Sequence, residues 1–134
     1  YAFNDMHAMM AFASAGRSDL AAQLRESQQV ALASEGDNRS FTAEVGQAAT
    51  SAVQAFVAGD FATVVNLLRP VRSYAHRFGG SHAQRDVLEL TLLEAAWRCG
   101  DQSLAVALSV ERAALRPASP LAQRYVERAN AINV

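Results

Sequence analysis

The chain has no lysine, a single cysteine (Cys99), three prolines and one tryptophan in 134 residues. Each shortage excludes something. One cysteine forms no internal disulfide, which fits a reducing compartment. No apolar run reaches about 18 residues, so no stretch reads as a membrane helix. No signal peptide is visible either, and a cytoplasmic location is expected. Aromatics make up 7%. β-branched residues are sparse and no run alternates apolar with polar positions, so strands are not expected. A net charge of −1 argues against a general nucleic-acid binder.

The charge is uneven. Residues 1–68 carry three arginines against seven acids, and residues 69–134 carry nine against six. Arginine without lysine reads as GC-rich coding bias in a bacterium. The guanidinium fork still suits bidentate recognition of carboxylates.

What is present is alanine, 28 residues of it. Alanine is the strongest helix former and lets helices approach closely. The class is all-α, about seven helices in one domain over residues 1–134. Asn4 or Asp5 is placed to cap a first helix carrying Met6, Met9 and Met10. Ser18 caps a second, which runs to about Ala33, and a third starts at Ser40 or Thr42. Asp60 caps a fourth, which Pro70 is expected to kink or restart, because proline lacks the backbone donor. Ser81 or His82 opens a fifth. Its segment Val87–Leu93 is apolar nearly all round, the mark of a central helix. A sixth follows Asp101, and a seventh begins at Ser119-Pro120.

Three turns look alike: Ala15-Gly16-Arg17-Ser18, Ala58-Gly59-Asp60-Phe61 and Cys99-Gly100-Asp101-Gln102. Glycine at a helix C-terminus supplies the left-handed conformation that closes it. Repetition of such hairpins predicts hairpins over about 4–34, 41–78 and 81–116 and a terminal helix over 119–131, stacked as a solenoid. Gly100, Asp101, Ala105 and Pro117 resemble the turn, small-residue and terminal-proline positions of the tetratricopeptide repeat.

Two blocks carry a narrower resemblance. Phe3-Asn4-Asp5-Met6-His7-Ala8-Met9-Met10 is one. Ala75-His76-Arg77-Phe78-Gly79-Gly80-Ser81-His82-Ala83-Gln84-Arg85-Asp86, followed by a leucine-rich helix, is the other. Together they are similar to the tetratricopeptide repeat protein 38-like family, in its C-terminal part. The resemblance implies a tetratricopeptide-like right-handed α-solenoid with no established activity. It also implies that the chain, which opens at Tyr1, is a piece of a longer protein.

The same blocks hold the candidate chemistry. Asn4, Asp5 and His7 stand at a helix start, where capping is the simpler role. His76 and His82 flank Gly79-Gly80, and a metal there needs a third ligand from His7, Asp5 or Asp86. Gly79-Gly80-Ser81 entering a helix offers backbone donors to an anion but lacks a phosphate-loop lysine. Gln84, Arg85 and Asp86 complete the block, with Arg85-Asp86 placed to lock the fourth helix to the fifth. Arg69, Arg72, Arg77 and Arg85 form either a solvated helix face with local ion pairs or a cluster suited to an acidic peptide. Cys99 lies at a helix C-terminus, where the dipole disfavours a thiolate.

Two functions follow. The first is a non-catalytic scaffold that binds a peptide or partner protein along a concave surface of first, third and fifth helices, with no cofactor and no metal. The alternative is an enzyme or metal-dependent protein whose site combines Asn4, Asp5 and His7 with His76, His82 and Asp86. A homodimer through the Met-rich first helix and the terminal helix is a third expectation.

Overall fold

The computed structural model describes residues 1–132, and these are almost wholly helical, with no strand among them. The helices are α1 (Ala2–Ser14), α2 (Ser18–Ala33), α3 (Asp37–Phe41), α4 (Gln47–Val57), α5 (Phe61–Val71), α6 (His82–Cys99), α7 (Gln102–Leu115) and α8 (Pro120–Ile132). A π-helical turn over Thr42–Gly46 joins α3 to α4, and a 3-10 segment over Arg72–Phe78 prolongs α5. Seven helical rods result.

The three glycine turns are the same structure. Gly16, Gly59 and Gly100 all have positive φ, at 68°, 79° and 81°. The residue after each glycine then donates five residues back: Arg17 to Phe12, Asp60 to Ala55 and Asp101 to Ala96, at 2.8, 2.9 and 3.1 Å. The glycine itself donates three residues back, to Ala13, Phe56 and Trp97. This double closure satisfies the orphan carbonyls at the helix end. It also sets the chain direction, because the next residue holds φ near −80° and ψ near 70° in each case (−85°/71°, −88°/71°, −77°/74°). Asp60 and Asp101 then cap the helix that follows, accepting from Thr63 and Leu104 at 3.2 and 3.1 Å.

Contacts run mainly between neighbours in the sequence. α1 packs on α2, α4 on α5, α5 on α6, α6 on α7 and α7 on α8, while α1 also packs on α4 and α4 touches α6. The core between them holds Met6, Met9, Val64, Leu68, Phe78, Leu92 and Leu93. Fully buried Ala49, Ala52, Ala95, Ala96 and Ala105 let the backbones close up. Two helices come close at Gly46, where a Cβ would lie 2.8 Å from the Ala2 Cβ.

Four expectations about helix ends are corrected. Asn4 and Asp5 do not cap α1, which already begins at Ala2; the Ala2 N–H donates to Asn38 Oδ1 of α3 at 3.1 Å, so the cap is delivered from another rod. Ser18 is the first residue of α2 and makes no capping bond. The third rod starts at Asp37, not at Ser40 or Thr42. Pro70 does not break α5. The helix runs on to Val71 and tightens only beyond it, with Tyr74 at φ −123°. Pro70 and Asn66 are exposed, so water can serve the carbonyl that the proline leaves without a donor.

Candidate functional site

Gly79-Gly80 is a joint whose glycines are demanded twice. Both have positive φ, at 99° and 78°. Both also face α1. A Cβ on Gly79 would strike the Tyr1 side chain, and one on Gly80 would strike the Phe3 ring. Phe3 in turn meets Phe78 edge-on at 5.5 Å. Ser81 then opens α6 with a full capping box: Ser81 Oγ accepts from the Gln84 N–H at 3.3 Å, and Gln84 Oε1 accepts from the Ser81 N–H at 2.9 Å. Arg85, one turn in, reaches back and donates from Nη1 to the carbonyls of Gly79 and Gly80.

Beyond the joint, charges line a cleft between the end of α5, the first half of α6 and the second half of α7. Arg72 holds two carboxylates, Glu89 of α6 at 3.0 Å and Glu111 of α7 at 2.8 Å. Asp86 of α6 holds two arginines, Arg112 of α7 through a two-pronged pair at 2.9 and 2.8 Å and Arg116, just past the end of α7, at 2.9 Å. The Arg112 guanidinium keeps the Asp86 carboxyl below the usual carboxylate range against the opposing effect of burial, and Arg116 adds to the same shift. The bond to Glu111 chiefly, with help from Glu89, raises the pKa of Arg72. The cleft forms two connected hollows of about 170 and 280 Å³ that share Arg72, Asp86, Glu89 and Arg116.

The residues picked out in the sequence divide between places. His76, His82, Arg85 and Asp86 all line the larger hollow. Gln84 is spent on the capping box. Asn4, Asp5 and His7 line neither hollow. His7 Nδ1 lies 3.0 Å from the Phe3 carbonyl and its ring packs on Phe3 at 4.5 Å, so its partners are in its own helix. Asp5 lies 3.5 Å from the Tyr1 backbone nitrogen, and Asn4 is exposed. The two sequence blocks therefore meet through Tyr1 and Phe3, not through their polar groups. Among the described residues no three His, Cys, Asp or Glu side chains cluster closely enough to hold a metal ion. The expected Arg85–Asp86 lock is also corrected: Arg85 ties the joint to α6, whereas Asp86 ties α6 to α7.

A second surface lies on the other side of α6. Met10 and Ser14 of α1, Val53, Phe56 and Val57 of α4, and Val87, Leu88 and Thr91 of α6 line an apolar groove of about 180 Å³. Glu89 and Leu93 face the charged cleft, and at roughly 100° per residue Val87 and Thr91 point nearly opposite to them. First members of the three hairpins thus share one groove, while the histidines and Arg85 stand away from it.

The cleft residues missed in the sequence are Glu89, Glu111, Arg112 and Arg116. Arg112 and Arg116 are four apart on one helical face, which could have drawn attention to α7. Their shared partner lies 26 and 30 residues upstream, and no local pattern reveals that. No protein-family model matches the chain, and no solved structure matches it.

Proposed function

We propose that the protein is a non-catalytic scaffold that binds a peptide segment of a partner protein in the groove across α1, α4 and α6. The observation that carries this reading is that equivalent helices of three successive hairpins each contribute side chains to a single apolar groove. On this reading the hairpins form a right-handed solenoid of the tetratricopeptide kind, and the groove lies on its concave side. The resemblance to the protein 38-like family supports the same reading, as does the recurrence of one turn geometry at Gly16, Gly59 and Gly100. A peptide offering two or three apolar residues at helical or extended spacing would fill the groove, its backbone lying over Ser14 and Thr91. Met6 and Met9 of the first helix are buried in the core, and Met10 of the same helix lines the groove.

Selection from a displayed peptide library tests the proposal. Enriched apolar peptides should bind the wild type and lose at least about ten-fold in affinity with Val57→Asp, which places a charge at a half-exposed groove position. No enrichment, or equal binding by the Val57→Asp protein with helicity intact, would refute it.

A further inference from the structure

The charged cleft sets four arginines, Arg72, Arg85, Arg112 and Arg116, against three carboxylates, Asp86, Glu89 and Glu111, and several of its guanidinium donors are unspent. Every carboxylate oxygen on its walls already accepts from an arginine: both of Asp86, both of Glu89 and both of Glu111. The donors are not exhausted. Arg116 spends only Nη2, on Asp86, and Arg85 spends only Nη1, on the glycine carbonyls. Arg112 Nε is buried without an acceptor. His76 and His82 stand exposed on the same wall. A guanidinium carries five donors and no acceptor, so these unspent N–H groups, with arginines in excess of carboxylates, suit an oxyanion.

The walls also say what the oxyanion is attached to. Leu115, 75% exposed, lines the hollow beside Arg112 and Arg116, and Leu93 and Leu108 behind it are buried. A free inorganic ion makes no use of the exposed leucine. A carboxylate on an aliphatic stem uses both features, its methylenes on Leu115 and its oxygens on the guanidinium forks. We propose that the cleft between α5, α6 and α7 is a second binding site, which takes a glutamate or aspartate side chain from an acidic peptide segment through Arg85 and Arg116. It lies across α6 from the apolar groove, with Leu88 bordering both.

The test titrates the full chain with the blocked peptide acetyl-Gly-Glu-Glu-Gly-amide, following arginine Nε–Hε resonances and the His76 and His82 ring signals by NMR. The neutral peptide acetyl-Gly-Gln-Gln-Gly-amide and inorganic phosphate form parallel arms. The acidic peptide should shift the signals of Arg85, Arg116 and His82, and the neutral peptide should not. Arg116→Ala should weaken the acidic peptide about ten-fold, the loss of a charge-assisted bond. Arg85→Ala should do the same. Because that change also frees the Gly79 and Gly80 carbonyls, Arg116→Ala is the deciding variant, with helicity followed by circular dichroism. Arg39→Ala, outside the cleft, should leave binding unchanged. Absence of shifts, equal binding of both peptides, or full binding by Arg116→Ala overturns the proposal. Phosphate binding as tightly as the acidic peptide overturns the assignment to a carboxylate on an aliphatic stem.

Discussion

Arg112 and Asp86 form the most enclosed ion pair among the described residues, with side chains only 10% and 17% exposed and both guanidinium Nη atoms engaged. The pair joins α6 to α7 within the third hairpin, and Arg116 braces it from the next turn. Removing one member of an enclosed pair strands the other, which costs more than the pair contributes as a unit. Arg112→Ala should therefore destabilise the fold by about 2 kcal/mol, and Asp86→Asn by less, since the amide keeps one acceptor. Urea denaturation of the two variants checks the order.

The same pair sets a pH response. The folded chain holds the Asp86 carboxyl below its ordinary value of 3.8, and the unfolded chain does not. The unfolded state therefore takes up the proton first as the solution is acidified. The stabilisation is complete above about pH 5 and disappears as pH falls through the lowered folded-state value. Thermal midpoints measured from pH 6 down to pH 2 should fall less steeply for Asp86→Asn than for the wild type.

Tyr125 responds at the other end of the scale. Its hydroxyl donates to Glu94 Oε2 at 3.0 Å, linking α8 to α6. Burial first, then this bond, pushes the phenol up to about 12 from 10.0. Its contribution to stability is whole below pH 10 and is lost as pH rises through the folded value. Glu94→Gln should bring the ionisation back toward 10.0, as read from the ring carbons of Tyr125 by NMR. Unchanged titration would mean that burial alone holds the phenol.

The glycines separate conformational from steric cost. Gly59 and Gly100 have positive φ and open space where a Cβ would stand. Alanine at either should cost about 1 kcal/mol from backbone strain alone. Gly80→Ala adds a collision with the Phe3 ring and should cost roughly 2–3 kcal/mol. Adding Phe3→Leu should recover part of that loss, and should recover nothing in Gly100→Ala. A double-mutant cycle in denaturant measures it.

Gln28 and Thr50 give a further test. Gln28 Nε2 donates to Thr50 Oγ1 at 2.9 Å in a buried contact between α2 and α4. Thr50→Val leaves a buried amide without its acceptor and should cost about 1–3 kcal/mol, whereas adding Gln28→Leu should restore much of it. Chemical denaturation of the single and double variants gives the comparison.

Local chemistry made much of this legible in advance. A glycine followed by a small capping residue closes one helix and opens the next within a few positions, so the turns at Gly59 and Gly100 could be read directly. The apolar run Val87–Leu93 marked its helix as central, and Leu88, Leu92 and Leu93 of that run are buried. Where reading failed, the deciding group was remote. Asn38 caps α1 from another rod, and Phe3 explains why Gly80 is glycine. The π-helical turn over Thr42–Gly46 likewise lies where Gly46 must admit Ala2. The site divided in the same way. His76, His82, Arg85 and Asp86 share one wall because consecutive turns of helix and a short joint bring them there. Glu111, Arg112 and Arg116 reach it only through the packing of α7 on α6.

Arg72 has a consequence for how the molecule meets its solvent. It fastens the second hairpin to both helices of the third through Glu89 and Glu111, across a partly exposed seam. The first hairpin meets the second through Phe3 against Phe78, Ala2 against Gly46 and the neutral Gln28–Thr50 bond. Salt screens charges and an excluded salt such as sulfate strengthens apolar contact. Raising ionic strength should therefore weaken one seam while it firms the other, so brine and dilute buffer would fray the protein from different ends.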